Sequence, residues 1–217
     1  MPPTADRRLP EAVIFDFDGV ILDSARMKTN AYFDLYELRE PDRQARMRGM
    51  VWRNGGLSRV EMIAVLERDF FGRATGGDGV MELARRYADI VDRKVKDCPL
   101  IAGAEGLLER LRGTPCHLVS GTPHATLLDT VRAKGLEGWF ASVTGSPSVK
   151  ADVFASIVAA GGHDAARTLA VGDSLTELEA ARRHGIAFVG VVPADDPNPF
   201  PADVPVVRDM DELARRF

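Results

Sequence analysis

The first apolar run of the chain, Ala12-Val13-Ile14-Phe15, stops at Asp16; Phe17, Asp18 and Gly19 follow, and then a second apolar run from Val20. A short run with β-branched members reads as a buried strand, and Gly19 permits the turn that ends it. Two carboxylates two residues apart at the end of such a strand repel one another unless a cation or a proton offsets them. The competing reading, a merely polar turn, loses ground as the rest of the chain is read.

From Ser24 the rhythm changes. Met27, Ala31, Phe33, Leu35, Tyr36 and Leu38 recur at helical spacing, with Ser24 placed as N-cap. Pro41 is expected to interrupt, a short helical segment to run to about Arg48, and residues 49–56 to form a loop. Ser58 with Glu61 three residues on is a capping box, opening a helix through Met62, Val65, Leu66 and Phe70. Residues 72–79 read as a loop and 80–96 as a long helix with Leu83, Tyr87, Ile90 and Val91 on one face.

Beyond Cys98 helices and strands alternate. Helices are expected over 104–112, 125–134, 152–160, 175–184 and 210–217, and strands over 116–119, around Val143, and over 168–171 and 186–192. A proline-rich loop covers 195–205, and residues 1–10 form a loose lead-in. Alternation of this kind implies right-handed crossovers and a parallel sheet covered on both faces. The expected architecture is α/β: a Rossmann-like core from residues 1–23 and 98–217, with a small all-helical domain, 24–97, inserted after the first strand.

Composition adds exclusions. The 217 residues are 45% hydrophobic and 28% charged, enough for a sizeable core. Net charge is -4 and arginine is dispersed rather than striped, so a nucleic-acid partner is not expected. No apolar run reaches membrane-spanning length, and the start of the chain lacks the apolar stretch of a secretory signal. Cys98 and Cys116 have neither metal-site nor redox spacing. A soluble cytoplasmic protein, monomer or homodimer, is expected.

Strands end at Asp16, at Ser120 and at Gly172-Asp173, and Lys150 follows the strand at Val143. All belong to the carboxyl edge of one sheet, where open α/β folds bind ligands. Carboxylates there suit a hard cation such as Mg²⁺, and a hydroxyl, an ammonium and backbone N–H groups suit phosphoryl oxygens. The absence of His and Cys from these positions argues against zinc, and neither a P-loop nor a dinucleotide fingerprint is present.

These residues carry a family resemblance. The stretch from Phe15 to Ser24 resembles the first motif of haloacid-dehalogenase-superfamily hydrolases. Ser120-Gly121-Thr122 resembles the second, Lys150 the third, and Gly172-Asp173-Ser174-Leu175-Thr176-Glu177 the fourth. The insert is similar to the helical cap of the phosphoglycolate phosphatase and β-phosphoglucomutase branch. The resemblance implies a phosphatase acting on a small phosphorylated molecule. In it Asp16 is the nucleophile and Asp18 the acid and base. Mg²⁺ is held by the Asp16 carboxylate, the Asp18 carbonyl and the Asp173 carboxylate. Ser120, with Gly121 and Thr122, binds the phosphoryl group, and Lys150 offsets negative charge.

The motif usually has aspartate where Glu177 stands. A glutamate reaches one methylene further, either to magnesium through water or to Lys150. Dehalogenases of the superfamily lack the second aspartate, so Asp18 favours phosphoryl transfer. A mutase retaining a bisphosphate intermediate is the main alternative. Phosphonate cleavage through Lys28, Lys94 or Lys96, and a non-catalytic binding role, rank below it. In the insert, Arg46, Arg48 and Arg53 are candidates for an anionic group of the substrate, with Trp52 or Asn54 packing on it or hydrogen-bonding it. Taken singly, each arginine has the competing reading of a solvated surface residue, and Trp52 that of cap core.

Overall fold

The computed structural model describes residues 9–55, 57–194 and 196–217. Most of the expected lead-in, together with Gly56 and Asp195, lies outside the described residues. The chain divides into two compact units, Met1–Asp23 with Pro99–Phe217, and Ser24–Cys98. The division falls one residue beyond the expected boundary.

The first unit is built on a parallel six-stranded sheet in the order β3-β2-β1-β4-β5-β6. Its strands are β1 (Ala12–Phe15), β2 (Cys116–Pro123), β3 (Ser142–Ser146), β4 (Thr168–Gly172), β5 (Ala187–Val191) and β6 (Val206–Val207). All four residues of β1 are fully buried, which explains their unbroken apolar run: the strand is covered on both faces and flanked by β2 and β4. Each such large side chain contributes about 1.5–3 kcal/mol through burial. Val119, Phe154, Ala170, Leu178 and Phe188 belong to the core that includes Ile14.

The helices of this unit are α5 (Ala104–Arg110), α6 (His124–Ala133), α7 (Lys150–Gly161), α8 (Leu175–Arg183) and α9 (Met210–Ala214). β6 was not expected, because two residues after a proline-rich loop carry no periodicity. It is held by pairing to β5 through Gly190↔Val206 and Val191↔Val207. Phe200 anchors the preceding loop edge-on against Phe188, 5.4 Å between ring centroids. A Cβ on Gly190 would come within 2.4 Å of the Phe200 ring, so glycine is required there.

The two chain segments that lead to and from the insert are tied together. Asp23 N donates to Pro99 O at 2.9 Å and Ile101 N to Ile21 O at 2.9 Å, around an antiparallel bridge between Leu22 and Leu100.

The second unit contains α1 (Ala25–Leu35), α2 (Pro41–Arg53), α3 (Arg59–Val65), a π-helical turn (Leu66–Phe70) and α4 (Gly77–Lys94). Tyr32 and Tyr87 stack at its core, 4.2 Å between centroids. The Ser58–Glu61 box is present, with Ser58 N donating to Glu61 Oε2 at 2.8 Å. Ser24 occupies the N-cap of α1 without a side-chain cap bond.

Two expectations fail on α2. Pro41 opens the helix instead of interrupting it, because a first-turn proline lacks only an N–H that would be unpaired anyway. The helix then runs through Gly49 to Arg53, where a loop was expected. A mid-helix glycine costs about 1 kcal/mol, which the packing of buried Met47 offsets. α4 likewise starts at Gly77, three residues early.

The π-helical turn, with Phe71 N reaching back to Leu66 O, includes Glu67, which is buried. Glu67 accepts hydrogen bonds from Thr75 and from Arg73, whose Nη1 is 3.5 Å away, and so pins the loop that follows.

Candidate active site

β1 delivers Asp16 to the carboxyl edge between its two neighbours, and Asp16 N donates to Val171 O of β4 at 2.9 Å. Past it the chain turns at Gly19, whose φ of 82° lies in the region other residues avoid. Phe17, between the two aspartates, is buried. β2 brings Ser120 to the same edge, and the start of α7 brings Lys150. The turn between β4 and α8 brings Asp173, and the first turn of α8 brings Glu177.

Lys150 is the hub. Its Nζ donates to Asp16 Oδ1 at 2.7 Å and also to Glu177 Oε1. Asp16 is 6% exposed and Glu177 2%, so both are removed from solvent screening. The other Glu177 oxygen, Oε2, accepts from Ser174 N at 3.0 Å and from Ser174 Oγ at 2.5 Å, while Thr176 Oγ1 donates to Oε1 at 2.9 Å. Glu177 thus makes the returning half of a capping box on α8 while it holds the lysine. Gly172 leaves room for its stem: a Cβ there would sit 2.6 Å from Cβ and Cγ of Glu177. The contact with Lys150 is one of the two roles expected of Glu177, whereas Ser174-x-x-Glu177 was a readable signal of the cap that the sequence reading missed.

A second cluster surrounds Asp18. Its Oδ2 accepts from Thr122 Oγ1 at 2.8 Å and from Ser120 Oγ at 3.3 Å. Ser120 Oγ in turn accepts from Thr122 N at 3.0 Å. The two residues expected to bind phosphoryl oxygens are turned toward Asp18 here, and Gly121 between them is exposed.

The electrostatics are lopsided. Burial pushes the Asp16 carboxyl up to about 7; Lys150 opposes this, and Glu177 and Asp18 add to it. Burial likewise raises Asp173 well above the usual carboxylate range, reinforced by Asp16 and Glu177. Burial would raise Glu177 too, but Lys150 and the bonds from Lys150, Ser174 and Thr176 hold it below its ordinary value. Burial opposes the charge on Lys150, yet Asp16 and Glu177 outweigh it and raise the ammonium above the ordinary lysine range. Glu177 therefore keeps the charge that matches Lys150, while the charged forms of Asp16 and Asp173 are disfavoured until a proton or a cation offsets them.

Among the described residues, no three His, Cys, Asp or Glu side chains stand as a group able to hold a metal ion. Magnesium takes one or two carboxylates together with carbonyl oxygen and water, so two carboxylates and a main-chain carbonyl meet its needs without such a trio.

Arg46 and Arg53 lie on α2 of the helical unit, where they line a recess with Phe70. Asn54 is occupied with ending α2, its Nδ2 donating to Met50 O at 2.8 Å, and Trp52 is exposed. Lys94, one of the lysines weighed for phosphonate cleavage, is paired with Asp34 at 2.6 Å. In the sheet unit a groove of about 890 Å³ runs along α7 beside β3, and none of the residues at the carboxyl edge lines it.

A parallel α/β sheet with buried carboxylates and one shared lysine at its carboxyl edge has the arrangement in which open α/β folds bind their ligands. More narrowly, residues 10–185 match the haloacid dehalogenase-like hydrolases, and the chain belongs to that family.

Solved structures share the fold at low identity. The chain is similar to the HAD hydrolase YfnB of Bacillus subtilis, a structure bound to magnesium, with TM-score 0.74 and 21% identity over 96% of this chain and 98% of that one. It is similar to CbbY of Rhodobacter sphaeroides in complex with xylulose-(1,5)bisphosphate, with TM-score 0.73 and 16% identity over 94% and 96%. It is also similar to a Haemophilus somnus protein, itself predicted to be a phosphoglycolate phosphatase, with TM-score 0.71 and 17% identity over 94% and 96%. No curated protein matches the chain.

Proposed function

We propose that this hydrolase is a Mg²⁺-dependent phosphatase of small phosphate monoesters, working through an aspartyl-phosphate on Asp16. The observation that carries the reading is the pairing of two differently served carboxylates two residues apart. Asp16 is bound by an ammonium, and Asp18 is bound by hydroxyls. A carboxylate oxygen of Asp16 attacks phosphorus, and the bond to the ester oxygen breaks. Asp18 gives that oxygen its proton, then takes one from the water that cleaves the acyl phosphate, releasing phosphate and restoring Asp16. Lys150 holds Asp16 in place and offsets charge on the phosphoryl group, and Glu177 keeps Lys150 there. Ser120, Thr122 and the Gly121 main chain donate to phosphoryl oxygens once substrate draws the hydroxyls away from Asp18.

Magnesium fits the donors present, namely the Asp16 and Asp173 carboxylates and the Asp18 carbonyl, and when bound would neutralise charge on the transferring group. The raised carboxyls of Asp16 and Asp173, whose charged forms a cation would favour, support this assignment. The unit Ser24–Cys98 serves as a cap that chooses the leaving group, with Arg46 and Arg53 as its anion contacts. The compartment is the reducing cytoplasm, in keeping with two free cysteines.

The test is phosphate release from a panel of phosphorylated metabolites, with and without Mg²⁺, for the wild type and Asp16→Asn. Release that requires both the metal and Asp16 is expected, with the variant down on the order of 10⁴-fold or more. Conversion of a sugar 1-phosphate to its 6-phosphate without free phosphate would replace the reading with a mutase. Release that persists in Asp16→Asn would end it.

A further inference from the structure

By the 3.6-residue repeat, Arg43, Arg46 and Arg53 fall on one side of α2. The guanidinium carbons of Arg43 and Arg46 both stand 5.7 Å from the Phe70 ring centroid, and Arg43 is 5.8 Å from that of Phe71. Arg73 joins the group at 4.6 Å from Phe71, but it is paired with buried Glu67. The other three have no ion pair among the described residues, in a chain whose net charge is -4.

Between them lies a recess of about 230 Å³, lined by Ala45, Arg46, Gly49, Met50, Arg53 and Phe70, all from the helical unit. Gly49 keeps it open: a Cβ there would already touch Arg53 Nη1 at 3.4 Å. Aromatic faces steady guanidinium planes without using their N–H donors, and neighbouring like charges repel until an anion arrives. The volume lies below the ~300 Å³ at which pockets for drug-sized ligands begin.

We propose that this recess is a binding site for a small anion-bearing molecule. A phosphate or carboxylate group would be held by Arg46 and Arg53, with Arg43 adding charge and Phe70 forming the apolar wall. This deepens the proposed role of the two arginines. It rests on that reading only for the source of the anion, either a second charged group on the substrate or a separate effector.

The probe is pyrophosphate, titrated calorimetrically into the full chain in EDTA at low ionic strength. Wild type is compared with Arg46→Ala, Gly49→Leu and Ser120→Ala. Gly49→Leu fills the recess, keeps every arginine and replaces a helical glycine with a better helix former, so loss of folding does not explain a loss of binding. Binding weakened at least tenfold by Arg46→Ala and by Gly49→Leu, and unchanged in Ser120→Ala, is expected. Three results would overturn the site: no binding to wild type, wild-type binding in either recess variant, or weakening in Ser120→Ala, which would put pyrophosphate at the sheet edge. None of them bears on whether Asp16 acts as nucleophile. With a hydrolysed monoester in hand, competition that disappears in Gly49→Leu assigns the recess to the substrate. A change in kcat without competition assigns it to an effector.

Discussion

The sheet edge and α2 gather opposite charges by opposite means. At the edge, Asp16 and Glu177 are withdrawn from water beside half-buried Asp173, and a single half-buried lysine answers the first two. On α2 exposed Arg43 and Arg46 stand over the Phe70 ring, Arg53 lies beside them, and none of the three has an ion pair among the described residues. The buried set is strongly coupled and its protonation depends on every member. The exposed set is screened, so each member counts separately. A charge removed from the first should disturb the whole group, and a charge removed from the second should leave the rest as they were.

The sharpest way to break that contrast is Lys150→Ala. It strands two buried carboxylates, so a stability loss of about 3–5 kcal/mol is expected in denaturant melts, with activity abolished. Equal stability to wild type would mean that the acids are far better solvated than their burial implies.

Glu177→Asp comes next. The shorter side chain cannot both hold Lys150 and close the box on α8, so kcat should fall about 10–100-fold, as for other groups that orient a functional side chain. The melt should lose about 1 kcal/mol from the cap. Glu177→Gln should keep the cap and lose the rate, which separates the two duties.

Magnesium stabilisation should depend on pH. The raised Asp16 carboxyl favours the folded metal-free protein while it stays protonated. That contribution is complete below about pH 4, the unfolded value, and is lost as pH rises through about 7. The upward shift in Tm on adding Mg²⁺ should therefore be larger at pH 7.5 than at pH 5.5.

Alkylation offers a smaller effect. Burial pushes the Cys116 thiol up to about 12, so iodoacetamide at pH 8 should leave it unmodified in the folded protein, as read by mass spectrometry. Smallest of all, Arg48→Ala, which removes a guanidinium 5.5 Å from the Phe33 ring, should cost about 0.5–1 kcal/mol and nothing in rate.

The same contrast explains what could be read in the sequence. A strand buried on both faces announces itself as an apolar run, and the residue that ends it is fixed at the sheet edge. Asp16, Ser120 and Asp173 could therefore be assigned to one edge before any coordinates. Helical placement was harder to read. Gly49 and Pro41 have the local signature of breaks, and only the packing of Met47 and the first-turn exemption for proline show that α2 runs on. The ring-stacked arginines depend on a π-helical turn that brings Phe70 and Phe71 round, and nothing in the periodicity marks it. β6 exists only because β5 pairs with it. Glu177 was legible as a departure from the usual aspartate and as a partner of Lys150, and its Ser174-x-x-Glu spacing also marked a cap that went unread.

The bridge between Leu22 and Leu100, with Asp23 held to Pro99, has an evolutionary consequence. Because the insert leaves and re-enters the sheet unit at adjoining points, the closure cost of whatever lies between them rises only slowly with its length, about 0.6 kcal/mol per doubling. Seventy-odd residues could be exchanged for another module, or for a short turn, without disturbing the parallel ladder. A lineage built this way can replace the inserted unit wholesale while keeping the sheet edge intact.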